Sequence, residues 1–190
     1  MASFEFEVEP ELEGPVRRGY TGVVGPFGTV RVFRPSAEPG AEPLRQAVVS
    51  GEMFPAVRFT GGRGNVPSLD GGSLIIDEIA ADLELRVKGV RKGSRWLAID
   101  HLGRSYTYTA AGGTAHLKGD GVEIAIGRGR YIPGLGATRL GRVEGDASAT
   151  DLAIALVLEE VETAVLTTSG ALLAVPMNLL FGRQRDEGTI

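Results

Sequence analysis

Basic side chains are concentrated in one part of the sequence. Residues 86–142 contain eleven Lys and Arg and three Asp and Glu, a net charge of +8, whereas residues 1–85 and 143–190 each carry −6. Lysine and arginine in such numbers attract phosphates and anionic lipids. We predict that seven of them form an anion site, five from one stretch and two from a later glycine-rich run: Arg86, Lys88, Arg91, Lys92, Arg95, Arg128 and Arg130.

The same charges allow an alternative in which they bind nothing. Alternation along strands would spread them over the outer surface, where they would pair with the acidic ends of the chain. Glycines recur near Arg128, at Gly127, Gly129, Gly134 and Gly136, and could let backbone N–H groups cradle a phosphate. A nucleotide fingerprint needs such glycines between a strand and a helix, however, and here they lie among strands. The sequence therefore favours a turn that requires positive φ at these glycines.

His101 and His116 are the only histidines, and the chain has no cysteine. With Asp100 and Asp120 they offer four potential zinc ligands if their hairpins lie side by side. Asp100 fits a turn equally well, because an Asp side chain bonds to its own backbone. We expect no bound metal and no cofactor. An enzyme whose site is built on Asp100, His101 and His116 remains an alternative.

Short strands must position most of these residues. The segment from Phe4 to Glu9 alternates apolar and acidic side chains, which is typical of a half-buried strand. Residues 95–99 and 104–109 flank the turn Asp100-His101-Leu102-Gly103 and predict a hairpin. About ten to twelve such strands at regular turn spacing indicate a sandwich or a barrel.

One helix is predicted at about residues 149–166. Ser148, Thr150 or Asp151 can cap its first turn. Every residue from Leu152 to Leu158 is apolar, so this part of the helix must be enclosed on all sides. Seven apolar residues are too few to span a bilayer, which needs roughly 20. We therefore predict one mainly β domain over residues 1–190, a closed or nearly closed antiparallel barrel around a buried hydrophobic helix.

This pattern resembles the tubby C-terminal-like superfamily, which includes tubby domains, phospholipid scramblases and LURP-one-related proteins. The resemblance is carried by the turn at Asp100 to Arg104, the strand Gly141-Arg142-Val143 and the apolar helix from Leu152. It implies a strand followed by a hydrophobic helix held inside a barrel, and binding of phosphoinositides or action at membranes. It transfers no ligand residue to this chain. The chain departs from the family in the residues after the helix, which include the apolar stretch 171–181.

These observations together predict a non-catalytic binding module for an anionic, phosphate-bearing or lipid ligand. The first fourteen residues are acidic and lack the basic and apolar regions of a secretory signal, so we expect a cytoplasmic location. A net charge of −4 and the lack of a nucleic-acid motif argue against nucleic acid as a partner. Two alternatives stay open: an enzyme with a barrel-mouth site at His101 and His116, and a scaffold that assembles through residues 171–181. The sequence does not determine the oligomeric state.

Overall fold

The computed structural model describes residues 3–13, 16–35, 45–62, 66–87 and 95–166. Within these residues, twelve antiparallel strands form a closed barrel in which each strand pairs with its sequence neighbours and β1 pairs with β12. The predicted fold class is thereby confirmed. The strands are β1 Ser3–Glu13, β2 Val16–Val23, β3 Thr29–Phe33, β4 Gln46–Gly51, β5 Val57–Gly61, β6 Gly72–Ile76, β7 Ile79–Val87, β8 Arg95–His101, β9 Arg104–Ala111, β10 Thr114–Gly119, β11 Val122–Ile132 and β12 Gly136–Gly145.

Helix α1, Ala149–Leu158, fills the lumen of the barrel. No side chain from Asp151 to Leu158 is more than 3% exposed. The strands surround it with a lining of branched and aromatic side chains that point inward at every second position, such as Leu97, Ile99, Ile124 and Ile126. The enclosed helix predicted from the apolar run is therefore confirmed, and it forms the centre of the hydrophobic core.

The start of α1 is fixed by a capping box. Ser148 is the N-cap: its hydroxyl accepts a bond from the Asp151 amide at 3.3 Å, and the Ser148 amide donates to Asp151 Oδ2 at 2.7 Å. Tyr106 on β9 donates its hydroxyl to Asp151 Oδ1 at 2.7 Å, and Arg104 Nη2 lies 3.1 Å from Oδ2. The barrel wall therefore holds the first turn of the helix by its buried carboxylate.

The helix is shorter than predicted and ends at Leu158 rather than at residue 166. Beyond it the chain turns, and the Glu162 amide donates to the Pro67 carbonyl at 2.7 Å. A single turn of 3-10 helix, Ala164–Leu166, follows. The apolar run ends where the lumen ends, because Glu159 and Glu160 meet arginines at the mouth of the barrel. No helix within the described ranges has the length and apolar character needed to cross a membrane.

The barrel has two distinct ends. At the capped end α1 begins, and the connections β2–β3, β4–β5, β6–β7, β8–β9 and β10–β11 lie there; at the exit end α1 finishes. The residues that connect elements at the capped end include five acids and no Lys or Arg: Glu52, Asp77, Glu78, Asp120 and Asp146. The strands that carry Arg86, Arg95, Arg128 and Arg130 bring these residues to the exit end.

The predicted glycine turn forms later than Gly127 and Gly129: Gly134 and Gly136 have positive φ at the β11–β12 turn. Gly127 and Gly129 both lie inside β11, and neither has positive φ. A side chain at position 129 would collide with the hydroxyl of Thr138 on β12. Space between neighbouring strands, rather than backbone conformation, therefore explains the glycine at position 129.

Candidate functional site: a cleft at the exit end

A cleft of about 270 Å³ opens at the exit end, between the β9–β10 turn and the end of α1. Its walls combine small apolar side chains with a few polar ones. The apolar side chains are Ala110, Ala111, Ala115, Leu158 and Val161, and the polar ones are Tyr108, Thr114, Arg128, Arg139, Glu159 and Thr163. Clefts that bind ligands commonly show this mixture of apolar surface and a few convergent polar groups.

Two arginines face each other in this cleft. Arg128 on β11 lies directly opposite Arg139 on β12 in the strand register. Both positions continue the inward-facing series of their strands, since Ile126 precedes Arg128 by two residues and Val143 follows Arg139 by four. Like charges directly opposite each other on neighbouring strands are destabilising. An anion that binds between the two guanidinium groups would therefore reduce their mutual repulsion.

Arg139 is held from two sides. Its Nε lies 2.7 Å from Glu159 Oε2, and its guanidinium carbon lies 4.9 Å from the ring centroid of Tyr20. The side chains of Arg139 and Glu159 are only 19% and 12% exposed. The ion pair and the aromatic stacking together fix the guanidinium at the rim of the cleft.

Arg128 is exposed, and among the residues that the structure describes it takes part in no hydrogen bond or ion pair. Among the described residues that line the cleft there are two guanidinium groups and one carboxylate, that of Glu159. An anion that entered the cleft would meet one unneutralised positive charge.

Tyr108 is a buried residue of the cleft lining, and its hydroxyl stays protonated near neutral pH. Burial is the largest cause that raises its pKa, and the charge of Glu159 raises the pKa further, while Arg139 opposes the shift. Tyr108 can therefore donate a hydrogen bond near neutral pH, but it is not ionised and cannot serve as a general base.

The other described members of the predicted anion site have different environments. Arg86 bonds to Glu84 at 2.6 Å, and this bond and the charge of Glu84 raise the pKa of Arg86. Arg130 bonds to Glu9 at 3.0 Å on the outer wall. Arg95 is buried and donates to the Val165 carbonyl at 3.4 Å. Of the four described arginines of the predicted site, Arg86, Arg95, Arg128 and Arg130, only Arg128 lines the cleft. Lys88, Arg91 and Lys92 lie outside the described residues, so their place in the anion site stays a prediction.

The histidine site considered as an alternative is not assembled. His101 is buried on the inner side of β8, whereas His116 lies on the outer side of β10 with its Nδ1 3.3 Å from Glu123. Asp100 is exposed and accepts a hydrogen bond from the Ser105 hydroxyl. Across the described part of the chain, no group of three or more His, Cys, Asp or Glu is arranged to hold a metal ion.

A second hollow, of about 370 Å³, lies on the outer wall beside β3 and β4. Its lining includes Phe27, Met53, one cation, Arg31, and one acid, Glu52. Arg31 Nε already bonds to Glu11 at 2.6 Å. This hollow therefore lacks the unneutralised charge that distinguishes the cleft at the exit end.

Two residues of the cleft were not assigned to a site from the sequence. Arg139 belongs to the basic segment 86–142 but not to the predicted anion site, and Glu159 directly follows the apolar run from Leu152 to Leu158. The signal that could have linked Arg128 to Arg139 is the turn at Pro133-Gly134, which makes β11 and β12 a hairpin. That signal gives the approximate pairing, but the pairing of these two arginines depends on a register shift between Arg128 and Tyr131.

Comparison with known proteins gives no relative on which to base a function: no family model, curated protein or solved structure matches this chain. The resemblance to the tubby C-terminal-like superfamily consequently rests on the pattern of elements alone.

Proposed function

We propose that the protein is a non-catalytic binding module that holds a phosphate-bearing anion in the cleft at the exit end. The observation that supports this function is the facing pair Arg128 and Arg139, with Glu159 as the one carboxylate among the described residues of the lining. Guanidinium groups bind phosphate through two parallel hydrogen bonds, which gives both affinity and orientation.

The size and lining of the cleft limit the ligand. Pockets for whole small molecules usually have volumes of about 300–1,000 Å³. At about 270 Å³ the cleft suits a single charged group with a short attachment, and the hydroxyls of Thr114 and Thr163 offer further hydrogen bonds. The ligand is either a small phosphorylated compound or the headgroup of a lipid at a membrane surface. We place the module in the cytoplasm, where both kinds of ligand occur.

No observation favours either alternative function. Of the three residues of the enzymatic site, His101 lies on the inner side of the barrel wall, whereas Asp100 and His116 lie on its outer side. The apolar stretch 171–181, on which the scaffold depends, lies outside the described residues. Binding of an anion therefore remains the function best supported by geometry.

The test is flotation with vesicles that contain a phosphoinositide, together with calorimetric titration of inorganic phosphate, at low salt and at physiological ionic strength. We expect the wild type to bind in at least one assay and to bind more weakly as salt rises, because salt screens charges over about 8–10 Å. Arg128→Gln should lose this binding. Failure of the wild type to bind any of these anions at low salt would refute the proposal.

Arg142→Gln is the matched control. Arg142 lies on the outer face of β12, three residues after Arg139, and pairs with Glu144 at 2.9 Å. The substitution removes the same charge from an exposed position outside the cleft, so binding should persist. A third variant, Arg91→Glu with Lys92→Glu, tests the rest of the predicted site. Loss of vesicle binding with retained phosphate binding would assign these two residues to contact with the membrane.

A further inference from the structure

We infer that the cleft takes one dianionic phosphate group, a phosphate monoester or free phosphate, and that Glu159 is the resident anion that this ligand displaces. The inference rests on the proposed function and specifies the ligand of the same site. It follows from the charges in the cleft and from the way Arg139 is held.

The charges favour a dianion over a monoanion. Counting the described residues, Glu159 balances one of the two guanidiniums of the cleft and leaves one positive charge unneutralised. A monoanion that replaced the Glu159 carboxylate would leave that charge unchanged. A dianion would neutralise both guanidiniums at once. A phosphate monoester has its second pKa near 6 and is mostly dianionic at neutral pH, whereas a diester has one charge.

Glu159 is placed to compete for the same guanidinium. It is the residue that follows the end of α1, and its carboxylate lies 2.7 Å from Arg139 Nε at the mouth of the barrel. Glu159 occupies the Nε edge of the Arg139 guanidinium, so a phosphate that bonds to this edge while bridging to Arg128 has to replace the carboxylate. The binding free energy that phosphate gains at Arg139 is therefore its interaction energy with the guanidinium minus that of the Glu159 carboxylate it displaces.

Displacement of Glu159 would leave the guanidinium in place. Tyr20 stacks on Arg139 from β2, and this contact does not involve α1. Arg139 also stays opposite Arg128 through the strand register, which is fixed by the hydrogen bonds of the β11–β12 ladder. The Arg139 guanidinium therefore stays positioned by Tyr20 when the competing carboxylate moves away, and a preorganised group binds more strongly.

The experiment titrates the full-length chain with inorganic phosphate, methyl phosphate and dimethyl phosphate. We expect both dianions to bind more tightly than the diester. Glu159→Gln should strengthen methyl phosphate binding by about fivefold or more, in line with typical coupling between two sites. Equal affinity for the diester, or an unchanged affinity in Glu159→Gln, would overturn the inference while the proposed function stands. Absence of binding by wild type and variant alike would refute both.

Glu162→Gln controls for charge alone. Glu162 is exposed at the same end of the barrel and does not line the cleft, yet its replacement removes the same charge. An equal gain in Glu159→Gln and Glu162→Gln would mean a general field effect and would overturn the inference. In an Arg139→Gln background, Glu159→Gln should give no gain if the competition is for that guanidinium. Circular dichroism verifies that each variant is folded. Glu159→Asp shortens the side chain but keeps its charge, so its gain in methyl phosphate affinity should be smaller than that of Glu159→Gln.

Two kinds of vesicle distinguish the sources of the ligand. Phosphatidic acid presents a phosphate monoester at the membrane, whereas phosphatidylglycerol presents a diester of lower charge. Binding to phosphatidic acid vesicles beyond the affinity for methyl phosphate would identify a lipid headgroup as the ligand. Binding of methyl phosphate without vesicle binding would identify a small phosphorylated compound. Preference for phosphatidylglycerol would contradict the dianionic ligand.

Discussion

The two ends of α1 use the same three kinds of residue with different results. At the capped end, Asp151 contacts Arg104 at 3.1 Å and Tyr106 at 2.7 Å. At the exit end, Glu159 contacts Arg139, whose guanidinium stacks on the ring of Tyr20. An acid, an arginine and a tyrosine therefore occur at both ends of the helix.

The difference lies in the number of cations and in exposure. Asp151 is fully buried, and its two oxygens accept bonds from a tyrosine hydroxyl, an arginine and a backbone amide. One guanidinium matches one carboxylate there. At the exit end Arg128 adds a second guanidinium beside Glu159, and the cleft opens to solvent. At the capped end one cation balances a fully buried carboxylate and holds the helix, whereas at the exit end the additional exposed cation can bind a ligand.

The largest expected difference between the ends is in stability. Asp151→Ala leaves the Tyr106 hydroxyl and Arg104 without their acceptor and removes half of the capping box. We expect it to lower the free energy of unfolding by about 3 kcal/mol, a value reduced for the partial exposure of Arg104. Glu159→Ala, at the rim of the barrel, should cost about 1 kcal/mol or less. Urea denaturation of both variants measures this; equal losses would show that the two ends are not different in kind.

Much of the fold was predictable because it depends on local signals. The predicted hairpin is present, with its turn at residues 102–103. The pattern of short strands predicted ten to twelve strands, and the described residues form twelve. The cap was found among three candidates, of which Ser148 and Asp151 form the capping box. The end of the helix was not predicted, because Val161 and Val165 continue the apolar spacing of a helix, and only the tertiary bonds to residues 67–69 show where the chain leaves it.

The candidate site could not be predicted to the same degree because it depends on register. Ile132 pairs with Gly136, and an uninterrupted hairpin from that pair would place Arg128 opposite Leu140. The shift between Arg128 and Tyr131 places it opposite Arg139 instead. A shift of one residue moves a side chain to the other face of a sheet, and bulges have no strong sequence signature. The pairing of Arg86 with Glu84, two residues earlier on the same face, was by contrast readable from strand alternation.

One tyrosine near each end of α1 has a raised pKa. Burial and then Asp151 raise the pKa of Tyr106, and burial and then Glu159 raise that of Tyr108. The folded protein thus keeps two protons that the unfolded chain loses above a pH of about 10. Stability should be unaffected by these groups below that pH and should fall as the pH rises above it.

Tyrosinate absorbance during an alkaline titration provides the measurement. Tyr106 and Tyr108, whose pKa values are both raised, should form tyrosinate only as the protein unfolds. Tyr106→Phe and Tyr108→Phe should each remove part of the alkaline loss of stability. Titration of Tyr106 and Tyr108 in the folded state would mean that neither end shields its hydroxyl.

Replacement of Arg104 and of Arg128 should change the free energy of unfolding only slightly, but in opposite directions. Arg104→Gln should destabilise the protein by roughly 1 kcal/mol, because it removes the cation that balances buried Asp151. Arg128→Gln should instead leave stability unchanged or raise it by a few tenths of a kcal/mol, because it relieves the facing pair of like charges. The same variant should lose phosphate binding. Denaturation and titration on one preparation test both effects, and a destabilised Arg128→Gln protein would show that this arginine serves the fold as Arg104 does.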